Sequence, residues 1–489
     1  MTGIGSSITV KSGIPSSLSI QHIKNKTSHP NNNDYHLETD ATGAQEDVTD
    51  MQSRDYPLAG PEWGPPFDAR NTAPRPGRGW MRFAGAGTLI AVGYMDPGNW
   101  ATAIAGGARY GYALLSVVLL SSVMALLLQW LAARVGLVTG RDLAQLSRSQ
   151  YSRRISLALW ALCEIAIVAC DLAEIIGSAV ALQLLFGVSL PAGVVLAGTL
   201  AFGMLVLQGF GQRRLEGAVA ALILLTAGCF VAQLALAHPD WGAAATGLRP
   251  RSEIVAQAGM LWLATGILGA TVMPHNLYLH SALLRMRGDA MPERSPATLR
   301  RALRATHWDT TLSLGFAFLI NAALLILAAA VFHASGNTGV ESLGDAHKLL
   351  APLVGSQWAG AMFAVALLAC GLNSTVTATL AGQVTMEGFL NLRMKPWQRA
   401  LVTRGLALMP ALLIVSHGGE AQTTNLLVFS QVVLSLQLPF AVVPLVRFAG
   451  NAELMGEWRV RGALLALAWV ITGAIVALNA LLLWQTLTG

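Results

Sequence analysis

The stretch Gly93-Tyr94-Met95-Asp96-Pro97-Gly98-Asn99-Trp100 sets an ionisable acid, a helix breaker and an amide inside a run that is otherwise apolar from about residue 83 to 107. Proline removes an amide hydrogen and clashes with the carbonyl one turn back, so carbonyl oxygens ahead of Pro97 are freed. In hydrocarbon, freed carbonyls and a lone carboxylate are costly unless they line a cavity or bind something. Gly93, Tyr94 and Met95 are therefore candidates to offer backbone oxygens to a cation. Asp96 adds a full negative charge, and Asn99 a neutral oxygen three residues on.

The surrounding chain explains what kind of protein carries such a break. Of its 489 residues 54% are hydrophobic and 12% charged, far from the roughly one quarter charged that soluble domains carry. Segments near the length a bilayer requires run approximately over 83–107, 112–133, 155–184, 190–209, 216–237, 256–284, 311–333, 357–384, 400–416, 423–447 and 462–486, about eleven spans. Placing the loops alternately on two sides gives one side roughly nineteen Lys and Arg residues, among them Arg148, Arg153, Arg213, Arg301, Lys395 and Arg399, against about four on the other. That contrast, with Arg75, Arg78 and Arg82 ahead of the first span, predicts a cytoplasmic N-terminus and an extracytoplasmic C-terminus in a plasma (inner) membrane. It also explains the formal charge of +6 without nucleic acid. The polar first seventy or so residues lack the apolar core of a signal peptide, and residues 1–75 read as a disordered cytoplasmic tail. The transporter domain is expected over 76–489. Cys163, Cys170, Cys229 and Cys370 all lie in apolar segments and read as small hydrophobes.

The sixth span is broken in the same manner, by Met273-Pro274-His275-Asn276. Two breaks about five spans apart imply a five-plus-five repeat whose halves, about 83–237 and 256–447, are inverted in the membrane, with an extra helix at about 462–486. That is the architecture of secondary transporters with discontinuous helices. Ala270, Thr271 and Val272 then offer carbonyls from the second half. Met273 adds a thioether, which favours Mn²⁺, Fe²⁺, Co²⁺ or Cd²⁺ over Mg²⁺ and Ca²⁺. His275 reads as a proton carrier, and His280 as a supporting or structural residue. In the third span, Asp171 and Glu174 share a helix face, and Arg404 in the ninth is a cation without a partner near it in sequence. Together with His275 they form a plausible proton relay.

Taken together, DPGN and MPHN resemble the Nramp family of proton-coupled divalent metal-ion transporters, of the bacterial manganese and iron type. The blocks YMDPGNWATAIAGGARYGY, GATVMPHNLYLHSAL, DLAEIIGSA and GLNSTVTATLAGQVTMEGFLNL carry the resemblance from Trp80 to the C-terminus. It implies an all-α, LeuT-like membrane fold with helices 1 and 6 broken. It implies a metal site of Asp96, Asn99, Met273, the carbonyls of Gly93 and Ala270, and Gln431 in an occluded state. The implied proton route is Asp96, His275, Glu174, Asp171 and Arg404, with Gln129, Thr271 and Asn321 gating or supporting. Asn373, Ala378 and Leu380 depart from the family's commonest signature ahead of the ninth span. The retained Met273 disfavours the branch that carries magnesium.

The expected function is import of Mn²⁺ or Fe²⁺, and also of Cd²⁺ or Co²⁺, with H⁺ by alternating access. No cofactor is implied and no GxxxxGK[ST] run occurs. A Na⁺-coupled amino-acid or osmolyte symporter of the same fold is the alternative, opposed by Asp96, which would repel a substrate carboxylate. An intramembrane metalloprotease lacks its HExxH motif, so no enzymatic role is expected. A passive channel differs from the symporter in needing no proton gradient.

Overall fold

In a computed structural model the described residues are 85–488, apart from positions 210, 211, 292, 341, 393 and 395, all within the unit Trp63–Gly489. The tail 1–75, the arginines at 75, 78 and 82, and Lys395 lie outside them. Among the described residues every regular element is helical.

The first apolar run forms two helices, α1 (Ala86–Gly93) and α2 (Pro97–Tyr110), parted by Tyr94, Met95 and Asp96. Pro97 opens α2 at the one turn where a missing N–H is harmless, and the Asp96 carboxylate caps it by accepting from the N–H groups of Gly98 and Asn99. The sixth run repeats the pattern as α8 (Ala258–Val272) and α9 (Pro274–Asp289), joined at Met273. Between them come α3 (Leu115–Thr139), the short α4 (Leu143–Gln150), α5 (Arg153–Phe186), α6 (Leu190–Gly209) and α7 (Gln212–Ala237). After them come α10 (Pro296–Ala328), α11 (Trp358–Leu390), α12 (Pro396–Gly450) and α13 (Gly462–Thr488).

Among the described residues, seven helical stretches are long and apolar enough to span a bilayer on length and composition. Of the broken runs, α2 counts only together with α3, in the stretch Pro97–Thr139, whereas α1, α8 and α9 are each too short to count alone; Leu190–Met204 and Leu401–Ser416 are shorter apolar stretches.

Helical backbone continues through α12 across Pro410, Pro439 and Pro444, each of which removes a backbone hydrogen bond, where the sequence predicts two spans. A straight helix of that length would reach about 80 Å. Arg399 near its start nevertheless bonds Glu164 at 2.8 Å, while Phe448 near its end packs on Tyr151, ring centroids 5.8 Å apart. Tyr151 and Glu164 are only about 20 Å apart along the start of α5. The arms Leu401–Ser416 and Gln422–Gly450 therefore run in opposite directions, as two spans must.

The core sits where α5, α10, α11 and the second arm of α12 surround the broken helices. The apolar windows of α5, α10 and α11 are 72–78% buried, against 28% for α13. The last helix is thus peripheral, attached through Asn479, which hydrogen-bonds the hydroxyl and carbonyl of Ser435 at 3.0 Å each. Asp309 of α10 grips the free N-terminus of α1, accepting from Gly85 N–H at 2.9 Å and Gly87 N–H at 2.7 Å.

Candidate metal and proton site

The two breaks meet. Asn99 on α2 donates through one nitrogen, Nδ2, towards three oxygens: Tyr94 O at 2.9 Å, Asp96 Oδ1 at 3.0 Å and Ala270 O at 3.0 Å. The amide has two hydrogens for three acceptors. Asn321 of α10 holds the same Tyr94 carbonyl at 2.8 Å. Gln431, on the second arm of α12, reaches the other carboxylate oxygen, Asp96 Oδ2, at 3.3 Å. Its approach depends on Gly98, where a Cβ would overlap the Gln431 amide.

Met273 is fully buried, in one packed group with Ala166, Cys170, Ala378 and Leu434. Its sulfur accepts from Asn276 Nδ2 at 3.4 Å. Gly93 ends α1 one residue before the carbonyl that Asn99 and Asn321 hold, and its Cα faces the Asn276 amide. Of the candidate carbonyls, Ala270 O and Tyr94 O thus lie at the junction against Asn99.

The polar groups at this junction are buried and several lack partners. Asp96 and Met273 have no solvent exposure, and Asn99 has 4%. Thr271 Oγ1, Asn276 Oδ1, Gln431 Oε1 and both ring nitrogens of His275 have no hydrogen-bond partner. Buried polar atoms are nearly always paired, so this concentration of unpaired ones marks a place built for something more than protein.

The acids expected to form a relay, Asp171 and Glu174, lie on α5. Glu174 Oε1 is 3.6 Å from the Cys170 thiol and its Oε2 is unpartnered. Asp171 lies three residues before Glu174 in the same helix, and both are buried. Arg404 donates to Thr379 Oγ1 at 3.0 Å and lies over the Phe202 ring, and Asp171 and Glu174 are the carboxylates its charge acts on. Glu164, the third acid of that span, is instead in a bidentate pair with Arg399.

Tyr94, Gln129 and His280 form a buried hydrogen-bonded chain. Gln129 Nε2 donates to the Tyr94 hydroxyl at 3.0 Å, and Gln129 Oε1 is 2.9 Å from His280 Nδ1. Trp100 packs on Phe230 and Phe363, with centroids 4.9 and 5.1 Å away. The Tyr94 hydroxyl, Asn276 and this aromatic trio were not predicted roles. Asn276 carried a signal, as the last residue of the second break; aromatic side chains in apolar helices carry none.

Residues 87–485 match the family model described as natural resistance-associated macrophage protein-like, Nramp. The chain belongs to the Nramp family. Relatives include the divalent metal cation transporter MntH of Xanthomonas campestris, 55% identical over 85% of this chain and 94% of that protein. MntH of Bradyrhizobium diazoefficiens is 50% identical over 93% and 98%. Among solved structures, the Eremococcus coleocola manganese transporter in complex with an aromatic bis-isothiourea substituted compound superposes with a TM-score of 0.75. It is 39% identical over 82% of this chain and 85% of its own. MhsT in complex with L-phenylalanine, at 15% identity and a TM-score of 0.56 over 81% and 98% of the two chains, shares the fold alone. This Nramp chain thus has the LeuT-like inverted-repeat fold, with its first and sixth helices broken.

Proposed function

We propose that the chain imports divalent transition metal ions, Mn²⁺ or Fe²⁺ foremost and Cd²⁺ or Co²⁺ as well, together with protons. The observation that carries this reading is the convergence of Tyr94 O, Asp96 Oδ1 and Ala270 O on a single point within 2.9–3.0 Å. A positively polarised amide nitrogen stands there, and a cation is what three oxygens around one point suit. Met273, three residues after Ala270, supplies the soft donor that oxygen-only ions do not need. The names of the relatives as divalent metal cation transporters support the same substrate class, and their naming as transporters supports a non-enzymatic role.

Asp96 couples the two ions because one carboxylate serves both, charged when it holds metal and neutral when it takes a proton. Unpaired His275 and the cluster of Glu174, Asp171 and Arg404 are the groups through which the proton moves. The Lys and Arg contrast supports a plasma-membrane topology with the N-terminus in the cytoplasm, residues 76–489 forming the transporter. An interior-negative potential then favours entry of each charge by about 2.3 kcal/mol per 100 mV.

Uptake into proteoliposomes of Mn²⁺, Cd²⁺ and Mg²⁺, with and without a pH gradient, tests the proposal. Mn²⁺ and Cd²⁺ uptake should rise when the outside is acidic. Asp96→Ala should abolish it. Met273→Ala should lose Cd²⁺ uptake more than Mn²⁺ uptake and admit more Mg²⁺. Wild-type uptake in Asp96→Ala would remove the site, and uptake indifferent to the pH gradient would leave a channel.

A further inference from the structure

Beyond the midpoint lies a second polar chamber. A cavity of about 50 Å³ opens between α4, α9 and α11, room for a small ion with a few of its waters. Asp142, Gln145, Arg285, Gln383 and Glu387 give it a polar lining. It lies on the Arg-rich side of the breaks. Along α9, Leu279 and Arg285 in its wall follow Met273 by roughly 9 and 18 Å. On α11, Gln383 and Glu387 follow Ala378, which packs in the same group as Met273, by roughly 8 and 14 Å.

The bonding within the chamber is incomplete. Gln383 is 4% exposed. Its Nε2 donates to Glu387 Oε1 at 2.9 Å, while its Oε1 has no partner. Asp142 Oδ1 accepts from Gln145 N–H at 2.9 Å, capping α4. Asp142 Oδ2 is 3.6 Å from Arg285 Nε, too far for a hydrogen bond, and that nitrogen has no other partner. Burial pushes the Asp142 carboxyl above the usual carboxylate range, with Arg285 only partly offsetting the effect. Two carboxylates, an unpaired amide oxygen and one loosely held guanidinium thus line the chamber, with the charge of Arg148 also acting on Asp142.

We propose that this chamber is a second cation site, which receives the divalent ion after it leaves Asp96 and Met273. Asp142, Glu387 and Gln383 Oε1 are its oxygen donors, and Arg285 is the counter-charge that withdraws when the ion arrives. The inference rests on the divalent-ion reading above. With two carboxylates it discriminates less against Mg²⁺ and Ca²⁺ than a site holding one carboxylate and a thioether. Conduction requires that such a stop be weak enough to leave.

Mn²⁺ binding to the purified full chain, followed by electron paramagnetic resonance, tests it. Asp96→Ala removes the midpoint ligand and should leave one weaker Mn²⁺ site that Mg²⁺ displaces. Adding Glu387→Gln or Asp142→Asn should weaken that residual site by about tenfold or more, the scale of losing even an outer partner of a metal ligand. Asn retains the helix cap at position 142, and thermal unfolding of each variant checks its fold. Arg285→Gln in the Asp96→Ala background should tighten the residual site. Asp96→Ala protein that binds no Mn²⁺, or whose binding ignores Glu387→Gln, overturns the second site while leaving the midpoint reading intact. Wild-type protein that binds no Mn²⁺ overturns both.

Discussion

Each polar side chain at the junction is held by geometry that one methyl group would upset. Gly98 is the sharpest case, because it lets the Gln431 amide come within reach of Asp96. Gly98→Ala should push α2 and α12 apart at the carboxylate. A shift of about 1 Å at a positioning residue costs enzymes about a hundredfold, and Mn²⁺ uptake should fall on that scale while the protein remains folded by circular dichroism. Uptake near the wild-type rate would mean that Gln431 contributes nothing. At this scale the sequence is most legible where a residue offends the membrane: Asp96, Asn99, His275, Glu174, Asp171 and Arg404 each stand out against apolar neighbours. The sequence offered the carbonyls of Gly93, Tyr94 and Met95 alike; that Tyr94 O is the one that Asn99 meets depends on helix phase at the break, which composition does not carry.

Helices here are held at their ends by side chains from far along the chain. Asp309 takes two amides of α1 at once, a charge-assisted cap on a helix of only eight residues. Asp309→Ala should lower unfolding stability by about 1–2 kcal/mol, the usual cost of a lost cap, measured by thermal unfolding in detergent. No change would mean that Thr88 and Ser313, whose hydroxyls meet at 3.3 Å, suffice to hold α1. The two breaks were legible as elements because proline and a polar residue inside an apolar run have one physical reading. The cap was not, since Asp309 sits in a helix whose polar start at the membrane edge makes an acid unremarkable. Nor were the pairs Glu164–Arg399 and Tyr151–Phe448, which join residues hundreds of positions apart.

Over the whole molecule, the count of spans came from charge and length and the inversion of the halves from the spacing of the two breaks, and α12 with its opposed arms preserves that count. The same view treats residues 1–75 as outside the transporter. A chain starting at residue 76 should therefore carry Mn²⁺ at close to the full-length rate in proteoliposomes, and a loss of uptake with intact folding would assign the tail a part in transport. The Tyr94–Gln129–His280 contact contains a phenol, an amide and an imidazole but no carboxylate. Dissolved salt weakens attractions between opposite charges, yet has little purchase on a buried chain of this kind. That contact should thus hold equally well in dilute and in concentrated electrolyte, so osmotic upshift would not by itself undo it.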